Sequence, residues 1–202
     1  MNKISVKYLE ELKACKKSID WFEDNFGTEE YTIDELLKFV KEKNIVSKCQ
    51  NVRWLIIKCK FAQTQQMLDY YLSLKPDYED VSRLIINFKF AQTQDMIDYY
   101  LSLNPNYEDV RWLIEKCKFV QTQDMIDYYI SLNPSYRSVS WLIIFCKFAQ
   151  TQFMIDYYIS LKPDHIDVRW LRNNCKFAKN NEKLNGYLEK IKWNINVQEN
   201  NF

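Results

Sequence analysis

Residues 52–80 read VRWLIIKCKFAQTQQMLDYYLSLKPDYED, and close copies of this 29-residue sequence follow it three times without interruption. The valines that open the copies recur at the same interval: Val52, Val81, Val110, Val139 and, in a fifth copy that diverges after Phe177, Val168. A fixed period of this length is typical of a protein built from one repeated structural unit. We therefore predict four full repeats over residues 52–167.

Each copy contains two segments with helical periodicity. In the first half, apolar residues fall at i, i+3, i+4 and i+7, which places them on one face of an α-helix. Met67 to Leu74 repeats this spacing, and Pro76 stops the second helix and favours extended backbone at Lys75. The pattern predicts an all-α fold, a right-handed α-solenoid of stacked helical hairpins in which neighbouring hairpins bury each other's apolar faces.

The two ends of the chain are predicted to cap the repeats. Residues 1–30 form an N-terminal cap, in which Val6 to Phe26 is predicted to be one amphipathic helix ended by Gly27. Residues 31–51 form a degenerate half-repeat that opens with Thr32 and Glu35 in capping-box spacing. Residues 168–202 form a divergent C-terminal repeat and tail whose outer face is polar, as a terminal repeat requires.

Composition argues against several functional classes. The chain of 202 residues has two Gly and one His, too few for a Gly-rich phosphate loop or for the His pairs common in zinc and iron sites. We expect no metal, no cofactor and no enzymatic activity. No apolar stretch is long enough for a membrane span, and no leader-like segment opens the chain, so we expect no membrane partner and a cytoplasmic location with six reduced thiols.

Charge is nearly balanced over the whole chain but not along it. The formal net charge is +1, made up of −1 for residues 1–51, −2 for residues 52–167 and +4 for residues 168–202. Only the last segment is basic, so nucleic acid is an alternative partner rather than the expected one.

Some residue types recur at one place in every copy. One repeat position holds Cys59, Cys117, Cys146 and Cys175 in four copies and Phe88 in the second copy. A metal site would not tolerate Phe in place of a ligand, but an apolar core would. We therefore predict that the four thiols are buried. Of each Tyr pair, one ring is expected in the core and one at the rim. The recurring Gln-Thr-Gln is interpreted as a hydrogen-bonded ladder between copies or as a polar surface for a partner.

Positions that differ between copies are the better candidates for recognition. One first-helix position holds Trp in four copies and Arg in one, and it lies either between repeats or at the surface. In the fourth copy two further positions that are polar elsewhere become Phe, which predicts an apolar patch of the kind found in protein-binding hot spots. The candidate partner-binding residues are Arg83, Trp112, Lys116, Trp141, Phe145 and Phe153.

Two other modes of association follow from the ends and from the basic residues. Nucleic acid would be bound by basic side chains interleaved with Trp, and the candidates are Arg53, Arg111, Arg169, Arg172, Lys176 and Lys179. Self-association through the repeat ends is the second mode, since near-identical repeats with imperfect caps can stack end to end.

The second helices carry a family resemblance. MIDYYLSLNPN, Met96 to Asn106, and its sister copies resemble the helical stretch of ankyrin repeats over about residues 31–191. The ankyrin Thr-Pro-Leu-His start and turn glycines are absent, and the shorter unit implies that the Lys75 to Asp80 turn replaces the β-finger. LKACKKSIDWF, Leu12 to Phe22, is similar to the opening of small bacterial and phage proteins. The resemblance implies a non-catalytic protein-binding scaffold, with a phage- or virus-encoded blocker of a host protein as the specific expectation.

Overall fold

A computed structural model describes residues 3–42 and 49–199 of the chain. These residues form fourteen α-helices, and apart from one isolated bridge between Ile4 and Tyr31 they contain no β-structure. The predicted all-α class and the repeating helical hairpins are confirmed, and the right-handed sense stays a prediction. The chain divides into two units, residues 1–104 and 105–202, so the division falls near the end of the second copy, in the turn before the helix Tyr107–Lys116.

The first unit contains seven of these helices. They are α1 (Val6–Glu11), α2 (Lys16–Phe26), α3 (Ile33–Glu42), α4 (Cys49–Lys58), α5 (Gln65–Ser73), α6 (Tyr78–Asn87) and α7 (Gln94–Ser102). Helices α4 and α5 form one hairpin and α6 and α7 the next, with α4 packed against α6. Helix α3 packs against α5, as expected for a half-repeat that supplies only a second helix.

The second unit continues the pattern and ends it. Its helices are α8 (Tyr107–Lys116), α9 (Gln123–Ser131), α10 (Tyr136–Phe145), α11 (Gln152–Ser160), α12 (His165–Asn174), α13 (Lys176–Lys179) and α14 (Glu182–Glu199). The first helices form a row in which α10 contacts both α8 and α12. Helix α14 packs against α11 and α12, and its Lys183 pairs with Asp156 at 2.8 Å. Residues 43–48 of the predicted half-repeat and 200–202 of the predicted tail lie outside the described part of the chain.

The interior repeats as closely as the sequence does. Tyr71, Tyr100, Tyr129 and Tyr158 are fully buried, and their preceding Tyr neighbours lie at the rim, as predicted. The predicted burial of the four recurring thiols is also confirmed. Phe88, which takes the thiol position in the second copy, is only partly buried, because its larger ring does not fit entirely into the space of a thiol.

The Gln-Thr-Gln segment starts the second helix of its own copy. Thr122 caps α9 by accepting the Met125 N–H at 3.3 Å, and Gln121 donates its amide to the Ile114 carbonyl at 3.0 Å. Gln123 donates to Asp127 one turn later at 2.8 Å. In each of these bonds the donor and the acceptor belong to the same copy, so the predicted ladder between copies is wrong here. A bond of that kind occurs where Asn181, in the divergent fifth copy, donates to Gln152 at 2.8 Å.

The N-terminal segment differs from the single helix predicted over Val6 to Phe26. It forms α1 and α2, separated by a break in which Lys13 has a φ of 58°. In this break the Ala14 N–H bonds back to the Leu9 carbonyl at 3.0 Å, which satisfies the end of α1. The break lets Leu9 on α1 and Phe22 on α2 both reach the interior.

Two predictions for the N-terminal region are confirmed. Gly27 ends α2 with a φ of 73°. Thr32 and Glu35 form a capping box at α3, in which the Thr32 N–H donates to the Glu35 carboxylate at 2.8 Å and the Glu35 N–H to the Thr32 hydroxyl at 3.3 Å. These bonds to its charged form lower the pKa of Glu35.

The residue before each repeat proline is not extended, contrary to the prediction for Lys75. Lys75, Asn104, Asn133 and Lys162 all have φ between 52° and 54°. In this left-handed conformation the Lys75 N–H bonds to the Leu72 carbonyl at 3.0 Å and closes the helix end. The gain from closing the helix therefore outweighs the preference that proline imposes on its predecessor.

This conformation predicts a stabilising substitution. Asn tolerates left-handed backbone better than Lys, so Lys162→Asn, which copies Asn104 and Asn133, is expected to raise the free energy of unfolding by about 0.5 kcal/mol. Urea denaturation of the full chain measures this change. The reciprocal control, Asn133→Lys, is expected to lower it by a similar amount, and a change of the same sign in both variants would contradict the argument.

Candidate functional site

A groove runs between α8 and α10 in the second unit. It has a cavity volume of about 700 Å³, in the range of ligand sites. Helix α8 contributes Glu108, Arg111, Glu115 and Lys116, and the α10 side contributes Ser135, Arg137, Ser138, Trp141 and Phe145. The groove therefore brings together Lys116, Trp141 and Phe145 from the predicted partner-binding residues.

Two aromatic rings form the apolar part of this groove. Trp141 and Phe145 lie one turn apart on α10 and are stacked, with centroids 4.9 Å apart and an interplanar angle of 18°. They are 42% and 57% exposed, so the Trp141 ring is not buried in the core between repeats. On the other side Trp141 contacts Trp170 of α12, with centroids 5.3 Å apart. Stacking fixes both rings before any partner binds.

The polar part of the groove centres on Arg111. Its Nη2 pairs with the Glu108 carboxylate at 2.7 Å, and its Nε lies 3.7 Å from the Glu115 carboxylate, too far for a hydrogen bond. Both that Nε and the facing Glu115 oxygen are buried without a hydrogen-bond partner. Burial raises the pKa of the Glu115 carboxyl, and the charge of Arg111 opposes this rise.

The start of α10 supplies the remaining polar groups. Ser138 is buried and accepts the Tyr129 hydroxyl at 2.9 Å, while Ser135 caps the helix by accepting the Ser138 N–H at 3.2 Å. Desolvation raises the pKa of Tyr129 well above its usual range, so its hydroxyl stays protonated and donates this bond. Arg137 is largely exposed, and its Nε lies 3.6 Å from an Asp167 carboxylate oxygen.

The other predicted partner-binding residues lie apart from the groove. Trp112 is exposed on α8 but does not line the cavity, and Phe153 is exposed in the first turn of α11. Phe153 makes no ring contact with Trp141 or Phe145, so the predicted patch of three rings is a pair. Arg83 belongs to the first unit, where it lies 3.5 Å from Glu79 on the same helix.

The predicted nucleic-acid residues do not form one basic surface. Arg53 pairs with Asp80, and Arg111 is engaged by Glu108, so two of the six cations are neutralised locally. Arg172 is partly buried. The remaining three are exposed on α12 and α13: Arg169, Lys176 and Lys179.

Five groove residues were not among the sequence candidates: Glu108, Glu115, Ser135, Arg137 and Ser138. Of these, Ser135, Arg137 and Ser138 occupy the first turn of α10 and its cap, where α6 and its cap have Asp77, Glu79 and Asp80. The signal was present as a departure of these three residues from their equivalents in the other copies. This departure becomes informative only with the structure, which places the turn in the same groove as Trp141. Exposed rings also occur at Phe119, Phe148 and Trp193, outside the groove.

Other features of the described chain are less specific. In the first unit one cavity is lined by four lysines (Lys3, Lys7, Lys58 and Lys60) with Tyr8 and Phe61, and a smaller one lies between α3 and α5. Within residues 3–42 and 49–199, no three His, Cys, Asp or Glu side chains are grouped so as to hold a metal ion. In the same residues no helix combines the length and apolarity needed to cross a membrane.

Comparison with protein-family models, with curated proteins and with solved structures finds no match to this chain. The resemblance to ankyrin repeats and to phage proteins therefore stays a prediction, and the groove between α8 and α10 is the basis for assigning a function.

The exposure of Phe145 predicts that it can be replaced without loss of the fold. Phe145→Asn, which installs the residue found at Asn87 and Asn174, is expected to change the free energy of unfolding by less than about 1 kcal/mol. Leu113→Ala, at a fully buried position of α8, is expected to lower it by about 2 to 5 kcal/mol. Chemical denaturation measures both, and equal losses would show that Phe145 belongs to the core.

Proposed function

We propose that this protein is a non-catalytic module that binds another protein through the groove between α8 and α10. The observation that carries the proposal is the stacked, exposed pair of Trp141 and Phe145 beside Arg111. Trp and Arg are enriched among the residues that contribute most to protein binding, especially where they line a shaped surface. An apolar surface held open on a folded scaffold is costly unless a partner covers it.

The comparison between copies supports a functional role for this surface. The fold accepts polar residues at the position of Phe145, since the siblings have Lys58, Asn87, Lys116 and Asn174 there. The structural requirement of the repeat therefore does not explain an exposed Phe. The copies with polar residues act as an internal control, because they share the buried positions with the fourth copy.

The proposed mechanism is rigid presentation of a preformed surface. Leu142 and Ile143 anchor α10 in the interior, and both are fully buried. The groove residues of α10 are thus held in place before binding, and little conformational entropy is lost when a partner docks. A protein of this kind acts by covering a surface of its partner. A phage- or virus-encoded blocker of a host protein would act in this way.

The cytoplasm is the proposed location. Cys59, Cys146 and Cys175 are buried thiols that form no disulfide, which suits a reducing compartment. The alternative function is binding of nucleic acid, supported by the exposed cations Arg169, Lys176 and Lys179. It is the weaker proposal, because Arg53 and Arg111 are already paired with carboxylates.

Affinity capture tests the proposed function. The full chain is immobilised and exposed to a nuclease-treated lysate of the cells in which its gene is native. The groove variant combines Trp141→Arg and Phe145→Asn, both residues taken from the second copy. We expect a protein that wild type retains and this variant loses, since the variant lacks the aromatic pair.

The matched control is Phe119→Ser, which removes a ring of similar exposure outside the groove. This control is expected to retain the partner. Equal recovery by wild type and the groove variant would contradict the proposal. A partner recovered from a parallel untreated lysate but not from the nuclease-treated one would favour the nucleic-acid alternative.

A further inference from the structure

The first turn of α10 differs in charge from its counterparts. The four residues that open the equivalent helices are Asp-Tyr-Glu-Asp at 77–80, Asn-Tyr-Glu-Asp at 106–109, Ser-Tyr-Arg-Ser at 135–138 and Asp-His-Ile-Asp at 164–167. Their formal charges are −3, −2, +1 and −2. Helices α6, α8 and α12 have acidic residues in the first turn, and α10 has none. The positive end of the α10 dipole is thus left without a local carboxylate.

The replacement of Asp by Ser138 also removes a carboxylate partner from a partly buried arginine, Arg111. In the first unit, Arg53 on α4 pairs with Asp80 on α6. Arg111 is the equivalent of Arg53 two copies later, and the residue equivalent to Asp80 is Ser138. Arg111 turns instead to Glu108 of its own helix, and its Nε keeps no hydrogen bond. The groove therefore lacks a carboxylate where the first unit has one.

Donors consequently outnumber free acceptors along this groove. Its cations are Arg111, Lys116 and Arg137, and its two carboxylates, Glu108 and Glu115, both lie against Arg111. Arg137 is mostly exposed, and its 3.6 Å approach to Asp167 exceeds hydrogen-bond distance. An incoming carboxylate would form charge-assisted bonds to these donors.

We propose that the groove binds an acidic segment of a partner protein, with an Asp or Glu side chain on Arg137, which pairs with neither groove carboxylate, and a neighbouring apolar side chain on Trp141 and Phe145. This inference rests on the proposed function and names the chemistry of the partner. The polar and apolar subsites lie along one helix, since Arg137, Trp141 and Phe145 are successive turns of α10. A short peptide that alternates acidic and apolar residues can reach both.

A protein segment fits this surface better than a nucleic acid does. Glu108 and Glu115 line the groove and would repel a continuous phosphate backbone, whereas isolated carboxylates can avoid them. The apolar subsite is a stacked pair of rings, with no remaining gap between them for a base.

Selection from a display library of short random peptides tests the inference on the full chain. Parallel selections use wild type, Phe145→Asn, and a charge variant that combines Arg137→Glu with Ser138→Asp, the residues found at Glu79 and Asp80 at the start of α6. We expect wild type to enrich peptides rich in Asp and Glu with an adjacent apolar residue. Their affinity, measured by fluorescence anisotropy, should fall about tenfold or more on either variant.

The substituted residues occur at the equivalent positions of other copies. Each variant is therefore expected to have the wild-type midpoint of chemical denaturation, which is measured alongside. Peptides that depend on Phe145 but are not acidic, or that bind the charge variant equally well, would overturn this inference and leave the proposed function standing. Absence of any peptide that depends on Phe145 would overturn both. Displacement of the peptides by single-stranded oligonucleotide at low salt, with direct binding of that oligonucleotide, would overturn the inference in favour of nucleic acid.

Discussion

The structure depends on the inability of a single hairpin to bury its own apolar residues. In the second unit Leu113, Leu142 and Leu171 occupy one repeat position on α8, α10 and α12, and all three are fully buried. Each hairpin must therefore stack on its neighbours, and burial of a Leu side chain contributes about 1.5 to 3 kcal/mol. Because the stack uses the same positions in every copy, those positions vary little and stay apolar, and most of the variation lies on the outer surface.

Buried positions and surface positions of the repeat therefore have different roles. The buried Tyr, Met and Leu positions repeat almost unchanged, while the first turn and the outer face of α10 both differ from their equivalents. Ser135, Arg137 and Ser138 remove acidity at the same groove where Trp141 and Phe145 add aromatic surface. Glu115, which stands where the first, second and fourth copies have Ile, gives Arg111 a nearby carboxylate. These substitutions therefore lie together in one groove and are not scattered over the repeats.

Much of this fold could be predicted from the sequence, and the exceptions have physical causes. Helical periodicity and the 29-residue interval predict the hairpins because they report which residues are buried, and burial of apolar surface drives the packing. The conformation of Lys75 and the break at Lys13 depend instead on how helix ends satisfy their carbonyls, and several solutions suit the same sequence. In the candidate site, Trp141 and Phe145 could be predicted from the sequence because an aromatic residue stands where at least one other copy has a polar one. The role of Ser138 could not be predicted, because it depends on the position of Ser138 relative to Arg111 on a neighbouring helix.

We expect the repeats to be equivalent scaffolds and recognition to lie where α10 and its cap depart from their equivalents. The affinity of a peptide selected on wild type, measured for a chain in which the groove residues of α10 and its cap match those of α6, tests this directly. That chain carries Ser135→Asp, Arg137→Glu, Ser138→Asp, Trp141→Arg and Phe145→Asn. The account predicts that this chain unfolds at the wild-type midpoint and does not bind the peptide. Binding at wild-type affinity by the folded variant would contradict it.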